Sequence, residues 1–308
     1  MAIRLFIDGA AGTTGLEIRE RLQGRSEFDL IVLGDDERKD EAARRDALHA
    51  ADIAILCLPD EAAKDAVKLA EGSGTRIIDA SSAHRVAEGW TYGFPELIGH
   101  EAIANAQFVS NPGCYPTGFL ALVAPLVRAG LLPDDWPYTV NSVSGYSGGG
   151  NALIARFEAE GAPAFRAYGY DMAHKHRPEM KRHAGLRHEV IFAPAVVPAY
   201  RGMVVEVPLH LGAMPGDPTA DALRTALRDF FATSAVVTVS EDTEVGELLL
   251  ERAAAPCDSM HLHVFGNEGG WHARLVAVLD NLGKGASGAA IQNLNIMCGL
   301  PETTGLRL

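Results

Sequence analysis

Near its start the chain reads Ile3-Arg-Leu-Phe-Ile-Asp-Gly-Ala-Ala-Gly-Thr-Thr-Gly15, and a helical pattern follows as far as Leu22. The apolar run over residues 3–8 is typical of a buried strand, so a strand, a glycine-rich turn and a helix follow one another. In this setting glycines allow a tight turn and let a pyrophosphate approach the N–H groups at the helix start. The order predicts dinucleotide binding. The spacing is G-x-x-G-x-x-G rather than G-x-G-x-x-G, so a plain glycine turn stays open as the alternative.

Four further apolar runs extend this pattern, at residues 28–33, 51–58, 75–79 and 107–110. A helix over 61–71, with Asp60 as its N-cap, separates two of them. Alternation of strands and helices up to about residue 112 predicts a parallel, doubly wound sheet of the Rossmann type. Ligands of such sheets bind at the carboxyl ends of the strands. Because Gly9, Pro59, Ser81 and Cys114 all follow strand ends, we expect them to converge on one crevice.

The pattern changes after residue 138, where longer strands surround one clear helix, residues 220–232. This predicts an α+β domain with a mainly antiparallel sheet, its strands at 138–143, 190–197, 203–211, 260–265 and 273–279. A small-residue helix from Lys284 is expected to return to the nucleotide domain. We therefore predict a nucleotide-binding domain from 1–112 with 285–308, and a catalytic and oligomerisation domain from 113–284.

Composition excludes several classes of protein. The 308 residues are 47% hydrophobic and 22% charged, which is ordinary for a globular protein, and no apolar run approaches the ~20 residues of a membrane span. The net charge of −13 disfavours nucleic acid and acidic membranes as partners. The four cysteines are scattered, which predicts a reducing, cytoplasmic location rather than a disulfide framework.

Cys114 lies in the run Ser110-Asn-Pro-Gly-Cys-Tyr-Pro-Thr-Gly118, between a strand and the apolar helix that follows. The N–H groups at a helix start stabilise a thiolate and can cradle an oxyanion formed when it attacks a carbonyl. The alternative is a buried structural cysteine. The turn and helix start around Cys114 favour a nucleophile.

A second candidate region runs from His174 to His188 and holds four His, five Lys or Arg and one Glu. This local positive charge suits an anion and a histidine that titrates near neutral pH. His174 and His176 have the spacing of some zinc ligands, but no third ligand stands at a suitable distance, so we predict no metal. A thiolate, an imidazole and a nucleotide site together indicate one reaction class, in which Cys attacks an acyl carbon, a nicotinamide exchanges hydride and His moves the proton.

The charged run Gly34-Asp-Asp-Glu-Arg-Lys39 follows the second strand. An acidic residue there would hold the ribose 2′-OH of NAD, and an arginine would accept the 2′-phosphate of NADP. Asp35 and Asp36 fit the first and Arg38 and Lys39 the second. The run by itself therefore leaves the cofactor open.

Taken together, these motifs resemble the N-acetyl-γ-glutamyl-phosphate reductase family in its shorter form, over essentially the whole chain. The most specific of them is Asn-Pro-Gly-Cys-Tyr-Pro-Thr; the others are the runs 9–15, Ser144-Gly-Tyr-Ser-Gly-Gly149, His174-Lys-His-Arg-Pro-Glu179, Val197-Pro-Ala-Tyr-Arg-Gly202 and Asn281-Leu-Gly-Lys-Gly-Ala-Ser-Gly288. Related aspartate-semialdehyde dehydrogenases share the plan with a different Cys motif.

The resemblance implies reduction of N-acetyl-γ-glutamyl phosphate, a small anionic acyl phosphate, by NADPH in arginine biosynthesis, with a homodimer or homotetramer. It makes Cys114 the nucleophile that forms the thioester and His176 the acid/base. Substrate contacts carry over to Arg85, Ser144, His174 and Arg201. Cofactor contacts carry over to Gly9, Gly12, Thr13, Thr14, Gly15, Arg38, Lys39, Ser81, Asn281, Gly285 and Ala286.

Two other functions stay open at this point. One is a sister reductase that acts on aspartyl phosphate or N-acetyl-aminoadipyl phosphate, because the sequence does not reveal substrate length or acylation. The other is a nucleotide-sensing protein that has lost catalysis, which the intact Cys114 and His176 disfavour.

Overall fold

The computed structural model describes residues 2–34 and 36–308. The chain divides into two compact units, Met1–Pro112 with Ala286–Leu306, and Gly113–Gly285 with Arg307–Leu308. Each unit is built on its own sheet.

The first unit has a six-stranded sheet in the order β2-β1-β3-β4-β6-β5, and all five pairings are parallel. Its strands are β1 (Ile3–Asp8), β2 (Phe28–Ile31), β3 (Ile53–Leu56), β4 (Arg76–Asp79), β5 (Thr91–Tyr92) and β6 (Phe108–Ser110). Its helices are α1 (Thr13–Leu22), α2 (Glu41–Ala50), α3 (Asp60–Leu69), α4 (Pro95–Ile98), α5 (His100–Ala104) and α10 (Gly288–Met297).

Helices cover both faces of this sheet, and the side chains of successive strand residues point to opposite faces. Leu5 and Ile7 of β1 pack in one apolar cluster with Ile18 of α1 and Leu294 of α10. Phe6, between them, belongs to a second cluster with residues of α2 and α3. The prediction of a parallel, doubly wound sheet is confirmed.

The second unit has a seven-stranded mixed sheet in the order β11-β12-β13-β10-β7-β9-β8, with four of six pairings antiparallel. Its strands are β7 (Thr139–Gly145), β8 (Arg166–Ala167), β9 (Ile191–Val197), β10 (Met203–Leu209), β11 (Val237–Val239), β12 (Met260–Gly266) and β13 (Ala273–Leu279). Its α-helices are α6 (Cys114–Arg128), α7 (Gly150–Glu158), α8 (Arg177–Ala184) and α9 (Ala220–Phe230).

Helix α6 is the core of this unit and is buried from Tyr115 to Leu126. It lies so close to the sheet that a Cβ added at Gly118 would stand 2.8 Å from the Val205 side chain. This packing fixes where α6 begins, and therefore where Cys114 stands. The mainly antiparallel sheet of the prediction is confirmed.

Some predicted details differ from the structure. Asp60 is the first residue of α3 and not its N-cap, and its carboxylate instead accepts hydrogen bonds from the Ser82 N–H and hydroxyl. The segment from Lys284 begins as a π-helical turn, Gly283–Ser287, before α10. Among the helices of residues 2–34 and 36–308, none has the length and apolar composition to cross a membrane.

Candidate active site

Cys114 is the first residue of α6, as the sequence predicted. Gly113, the N-cap residue, precedes it in an extended conformation, with φ −74° and ψ 149°. Cys114 therefore stands at the N-terminus of α6, where the partial positive charge of the first N–H groups favours a thiolate or an oxyanion.

The start of α8 is bonded to the start of α6. His176 is the N-cap residue of α8, and Glu179 lies one turn further on. The buried Glu179 carboxylate accepts a hydrogen bond from the Gly113 N–H at 2.8 Å. This bond joins the residue before Cys114 to the helix that carries His176.

Tyr115, the residue after Cys114, faces the same helix start. Its ring centroid lies 5.8 Å from that of His176, and its hydroxyl donates to the Ala195 carbonyl at 3.2 Å. Burial, with Tyr168 and Cys114 nearby, raises the pKa of Tyr115 well above its usual value, so the phenol is neutral at physiological pH. Both neighbours of Cys114 thus contact α8, which brings Cys114 and His176 to one site.

His174 completes this group with a different environment. Its Nδ1 accepts a hydrogen bond from the His176 N–H at 3.2 Å, and the two rings meet edge to face at 4.8 Å. Burial, with a smaller effect of Lys175, lowers the pKa of His174 to about 4. His174 is therefore neutral at pH 7. Tyr168 and Phe192 pack against its ring.

Gly285 borders Cys114 from a second direction. A Cβ at this position would stand 2.9 Å from the Cβ of Cys114, so only glycine lets this backbone come so close. The Gly285 N–H donates to the Asp280 carbonyl at 3.0 Å. Lys284, directly before it, is a buried cation that the sequence interpretation passed over.

Arg201 forms an ion pair with the buried Asp280, at 2.8 Å from Nη1 to Oδ2. Asn281, which follows Asp280, accepts a hydrogen bond from the N–H of Gly202, which follows Arg201, at 2.9 Å. Its side-chain amide also donates to the Ser147 hydroxyl at 2.9 Å. Asn281 therefore connects the 201–202 turn to the 3-10 turn Tyr146–Gly149, which follows β7. Ser144 lies near the end of β7, and its hydroxyl donates to the Gly145 carbonyl at 3.0 Å.

In the first unit, the glycine-rich turn borders a cavity of about 300 Å³. Four of the predicted cofactor residues line it: Gly9, Gly12, Arg38 and Lys39. Arg19 of α1 also lines it, although the sequence interpretation did not include this residue. Thr13, Thr14 and Gly15 belong to the first turn of α1, which follows directly. Asp35, of the charged run, lies outside the described residues.

The turn fits a closely approaching ligand. Gly9 has a φ of +89°, and a Cβ there would stand 2.3 Å from the Cys57 carbonyl oxygen. A Cβ on Gly15 would stand 2.4 Å from the Gly9 carbonyl oxygen. The N-cap residue of α1 is Gly12, which has no side chain, and the N–H groups at a helix start are donors of the kind that bind a dinucleotide phosphate.

Ser81 and Arg85 are both bonded within the first unit. The Ser81 hydroxyl donates to Asp79 at 2.7 Å and accepts from the Ala83 N–H. Asp79 also holds Nδ1 of His84, at 2.6 Å. Arg85 donates to the carbonyls of Asn111 and Ala80, at 2.9 and 3.0 Å. These contacts hold the 79–85 loop in place.

Asn111 is a buried residue whose side chain connects two other segments of the chain, a role that the motif alone did not reveal. Its amide group donates to the Ala286 carbonyl at 3.0 Å and accepts from Asn293 of α10 at 3.1 Å. Through Asn111, the Ala286 carbonyl is thus connected to α10. Polar residues inside an apolar helix, here Asn293, are the sequence signal that could have revealed it. Among the described residues no group of three or more metal-ligating side chains occurs.

The chain matches two family models, "Semialdehyde dehydrogenase, NAD binding domain" over residues 4–106 and "Semialdehyde dehydrogenase, dimerisation domain" over residues 114–281. Solved structures show the same fold. An aspartate semialdehyde dehydrogenase II from Vibrio cholerae, complexed with ASA, has a TM-score of 0.72 at 18% identity, covering 97% of this chain and 99% of that one. The enzyme from Candida albicans, with NADP, has a TM-score of 0.66 at 14% identity, with the same coverages. The class is therefore that of the semialdehyde dehydrogenases, with an NAD(P)-binding domain.

Curated relatives define the family within this class. The chain is 47% identical to N-acetyl-gamma-glutamyl-phosphate reductase 2 of Nostoc sp., over 98% of this chain and 99% of the relative. It is 48% identical to the reductase of that name from Rhizobium meliloti and 49% identical to that from Brucella anthropi, covering 96% and 97% of this chain and 99% of each relative. The chain belongs to the N-acetyl-γ-glutamyl-phosphate reductase family, which confirms the resemblance of the motifs.

Proposed function

We propose that the protein reduces N-acetyl-γ-glutamyl phosphate with NADPH to N-acetylglutamate 5-semialdehyde and phosphate, through a thioester on Cys114. The family and its named relatives support the reaction. The observation that carries it is the position of Cys114 at the start of α6, where Glu179 is hydrogen-bonded to Gly113 and the His176 ring packs beside Tyr115.

Each step follows from these side chains. The Cys114 thiolate attacks the acyl carbon, so a C–S bond forms and the C–O bond to phosphate breaks. NADPH, when bound, would supply the hydride that reduces the thioester carbon. His176 gives a proton to the oxyanion of the resulting thiohemiacetal and takes it back as the C–S bond breaks, which releases the aldehyde and restores the thiolate.

The remaining site residues have assigned roles in this proposal. We assign substrate contacts to Ser144, His174 and Arg201, and we assign Arg85 to the anionic groups of the substrate. The ion pair with Asp280 holds the Arg201 guanidinium in place for this role.

NADP, rather than NAD, is the cofactor we propose. Arg38 and Lys39 line the cavity beside the glycine turn, where their charges suit the 2′-phosphate. Gly9, Gly12, Thr13, Thr14 and Gly15 hold the pyrophosphate. Ser81, Asn281, Gly285 and Ala286 form the nicotinamide end.

We further propose a homo-oligomer in the cytoplasm, assembled through the unit that matches the dimerisation model. The units are proposed as the cofactor domain and the catalytic domain. All four cysteines are outside disulfides, which suits a reducing compartment.

The reaction is tested in reverse, with N-acetylglutamate semialdehyde, phosphate and NADP⁺, by the absorbance of reduced nicotinamide. We expect reduction that requires phosphate and the acetylated aldehyde. Turnover of aspartate semialdehyde instead, or of a longer N-acetylated semialdehyde, would move the substrate to a sister reductase. No turnover with any of these aldehydes would contradict the reaction.

Cys114→Ser tests the role of Cys114 as the nucleophile. We expect loss of turnover with NADPH affinity unchanged, because Cys114 lies outside the cavity of the glycine turn. Cys298→Ser is the matched control, because Cys298 does not line that cavity. Burial raises the pKa of the Cys298 thiol to about 11, so this thiol is protonated at neutral pH, and its loss should leave turnover in place.

A further inference from the structure

Arg19 stands in the cofactor cavity without a role in the function proposed above. It lies on α1 four residues after Gly15, so one helical turn separates it from the pyrophosphate turn. Its side chain is exposed and lines the same cavity as Arg38, Lys39 and Val32.

The charge of this cavity is strongly one-sided. Within the described chain, its lining holds three cations, Arg19, Arg38 and Lys39, and one acid, Asp8. The Asp8 carboxylate is bonded to Arg44 at 2.8 Å, which neutralises it. A dianionic phosphate is the ligand that such a group of cations suits.

The acidic residues of the charged run that the structure describes, residues 36–40, are directed elsewhere. Glu37 accepts from the Gly34 N–H at 3.2 Å, and Asp40 caps α2 through the Ala43 N–H at 2.8 Å. Asp36 is exposed and does not line the cavity. By contrast, the side chains of Arg19 and Lys39 form no ion pair with any other residue that the structure describes.

We infer that Arg19 is a specificity-determining residue, which binds the 2′-phosphate of the cofactor together with Arg38 and Lys39. The inference rests on the NADP choice of the proposed function and adds a residue from a different element. Because the N-terminus of α1 is also proposed to bind the pyrophosphate, one helix would contact both the pyrophosphate and the 2′-phosphate of the cofactor. Arg suits this role through its planar fork of donors.

The test measures binding without turnover. Isothermal titration calorimetry compares adenosine 2′,5′-bisphosphate with AMP, which lacks the 2′-phosphate, in wild type, Arg19→Gln and Arg19→Lys. We expect Arg19→Gln to weaken the bisphosphate about tenfold or more and AMP less than about twofold, because a hydrogen bond to a charged group is lost. The bisphosphate affinity of Arg19→Lys should fall between those of wild type and Arg19→Gln, since lysine keeps the charge but lacks the planar pair of donors.

Arg45→Gln is the matched control. Arg45 is an exposed arginine of α2 that pairs with Glu41 and does not line the cavity, so its loss makes the same change in net charge. It should leave both affinities unchanged. Equal weakening of both ligands by Arg19→Gln, or an unchanged bisphosphate affinity, would overturn the role of Arg19.

The result separates this inference from the proposed function. A wild-type protein that binds the bisphosphate no more tightly than AMP would overturn both the NADP choice and the role of Arg19. A protein that shows the Arg19 effect but does not turn over N-acetylglutamate semialdehyde would overturn the substrate alone.

Discussion

The two histidines beside Cys114 differ in what their surroundings let them do. Nδ1 of His174 accepts a hydrogen bond from the His176 N–H. Protonation of Nδ1 would break that bond and place two N–H groups against each other. Burial acts in the same direction and holds the pKa of His174 near 4. His174 is therefore a neutral acceptor at pH 7, which agrees with the proposal that His176, whose ring packs beside Tyr115, transfers the proton.

The lowered pKa of His174 predicts a pH-dependent stability. The unfolded imidazole binds a proton near pH 6.5 and the folded one near pH 4, so between these values the unfolded chain holds more protons. Lowering the pH through this window therefore favours unfolding. We expect His174→Gln, which cannot titrate, to lose less stability than wild type between pH 7 and pH 5.

Urea unfolding of both proteins at the two pH values measures this difference. A ring resonance of His174 followed by NMR should show its midpoint near pH 4. Equal pH dependence of the unfolding free energy in wild type and His174→Gln would contradict the prediction.

At the scale of elements, the turn between β1 and α1 divides its glycines into two kinds. Gly9 and Gly15 are required by the backbone, because a Cβ on either would meet a carbonyl oxygen at 2.3 or 2.4 Å. Gly12 has a φ of −77°, and a Cβ there would meet its nearest neighbour at 3.5 Å. Gly12 borders the cavity, so its lack of a side chain serves the ligand instead.

Alanine at these positions should separate folding from binding. We expect Gly9→Ala to lower the unfolding free energy by about 2 kcal/mol or more, since it adds both backbone strain and a clash. Gly12→Ala should change it by less than about 0.5 kcal/mol yet weaken NADPH binding. Thermal unfolding and calorimetry measure the two effects. Equal destabilisation by both variants would show that the turn is not divided in this way.

The elements that could be predicted were those with a continuous apolar pattern. β1 was predicted with its observed bounds, Ile3–Asp8, because both faces of a parallel strand are buried and the run Leu5-Phe-Ile7 is continuously apolar. Cys114 was placed at a helix start because the apolar run of α6 begins just after a Pro-Gly turn. Local sequence was sufficient in both cases.

Elements stabilised by distant contacts could not be predicted. α8 buries only Glu179, Met180 and Ala184, so its sequence was interpreted as a cationic patch and the helix was missed. The partner of Arg201, Asp280, is 79 residues away, and no local pattern reveals their ion pair. The residues that orient the candidate site are therefore the ones that sequence reasoning lost.

At the scale of the whole molecule, the two sheets differ in how they are covered. Helices pack on both faces of the first, as its two apolar clusters show. In the second, α6 packs on the face that presents Val205 and Ala277. The opposite face carries an apolar row, in which Val204 pairs with Val143 on one side and with Val278 on the other, and all three are partly exposed.

We expect this row to lie in the proposed subunit interface, since a face that repeats itself across a two-fold axis buries apolar area from both copies. Val204→Asp would place two unpaired carboxylates in a dimer interface, which is costly. Light scattering after gel filtration should therefore give at most half the wild-type mass. Phe230→Asp adds the same charge at an exposed apolar residue of α9 and should keep the wild-type mass. An unaltered mass for Val204→Asp, with its circular dichroism spectrum intact, would place the interface on another surface.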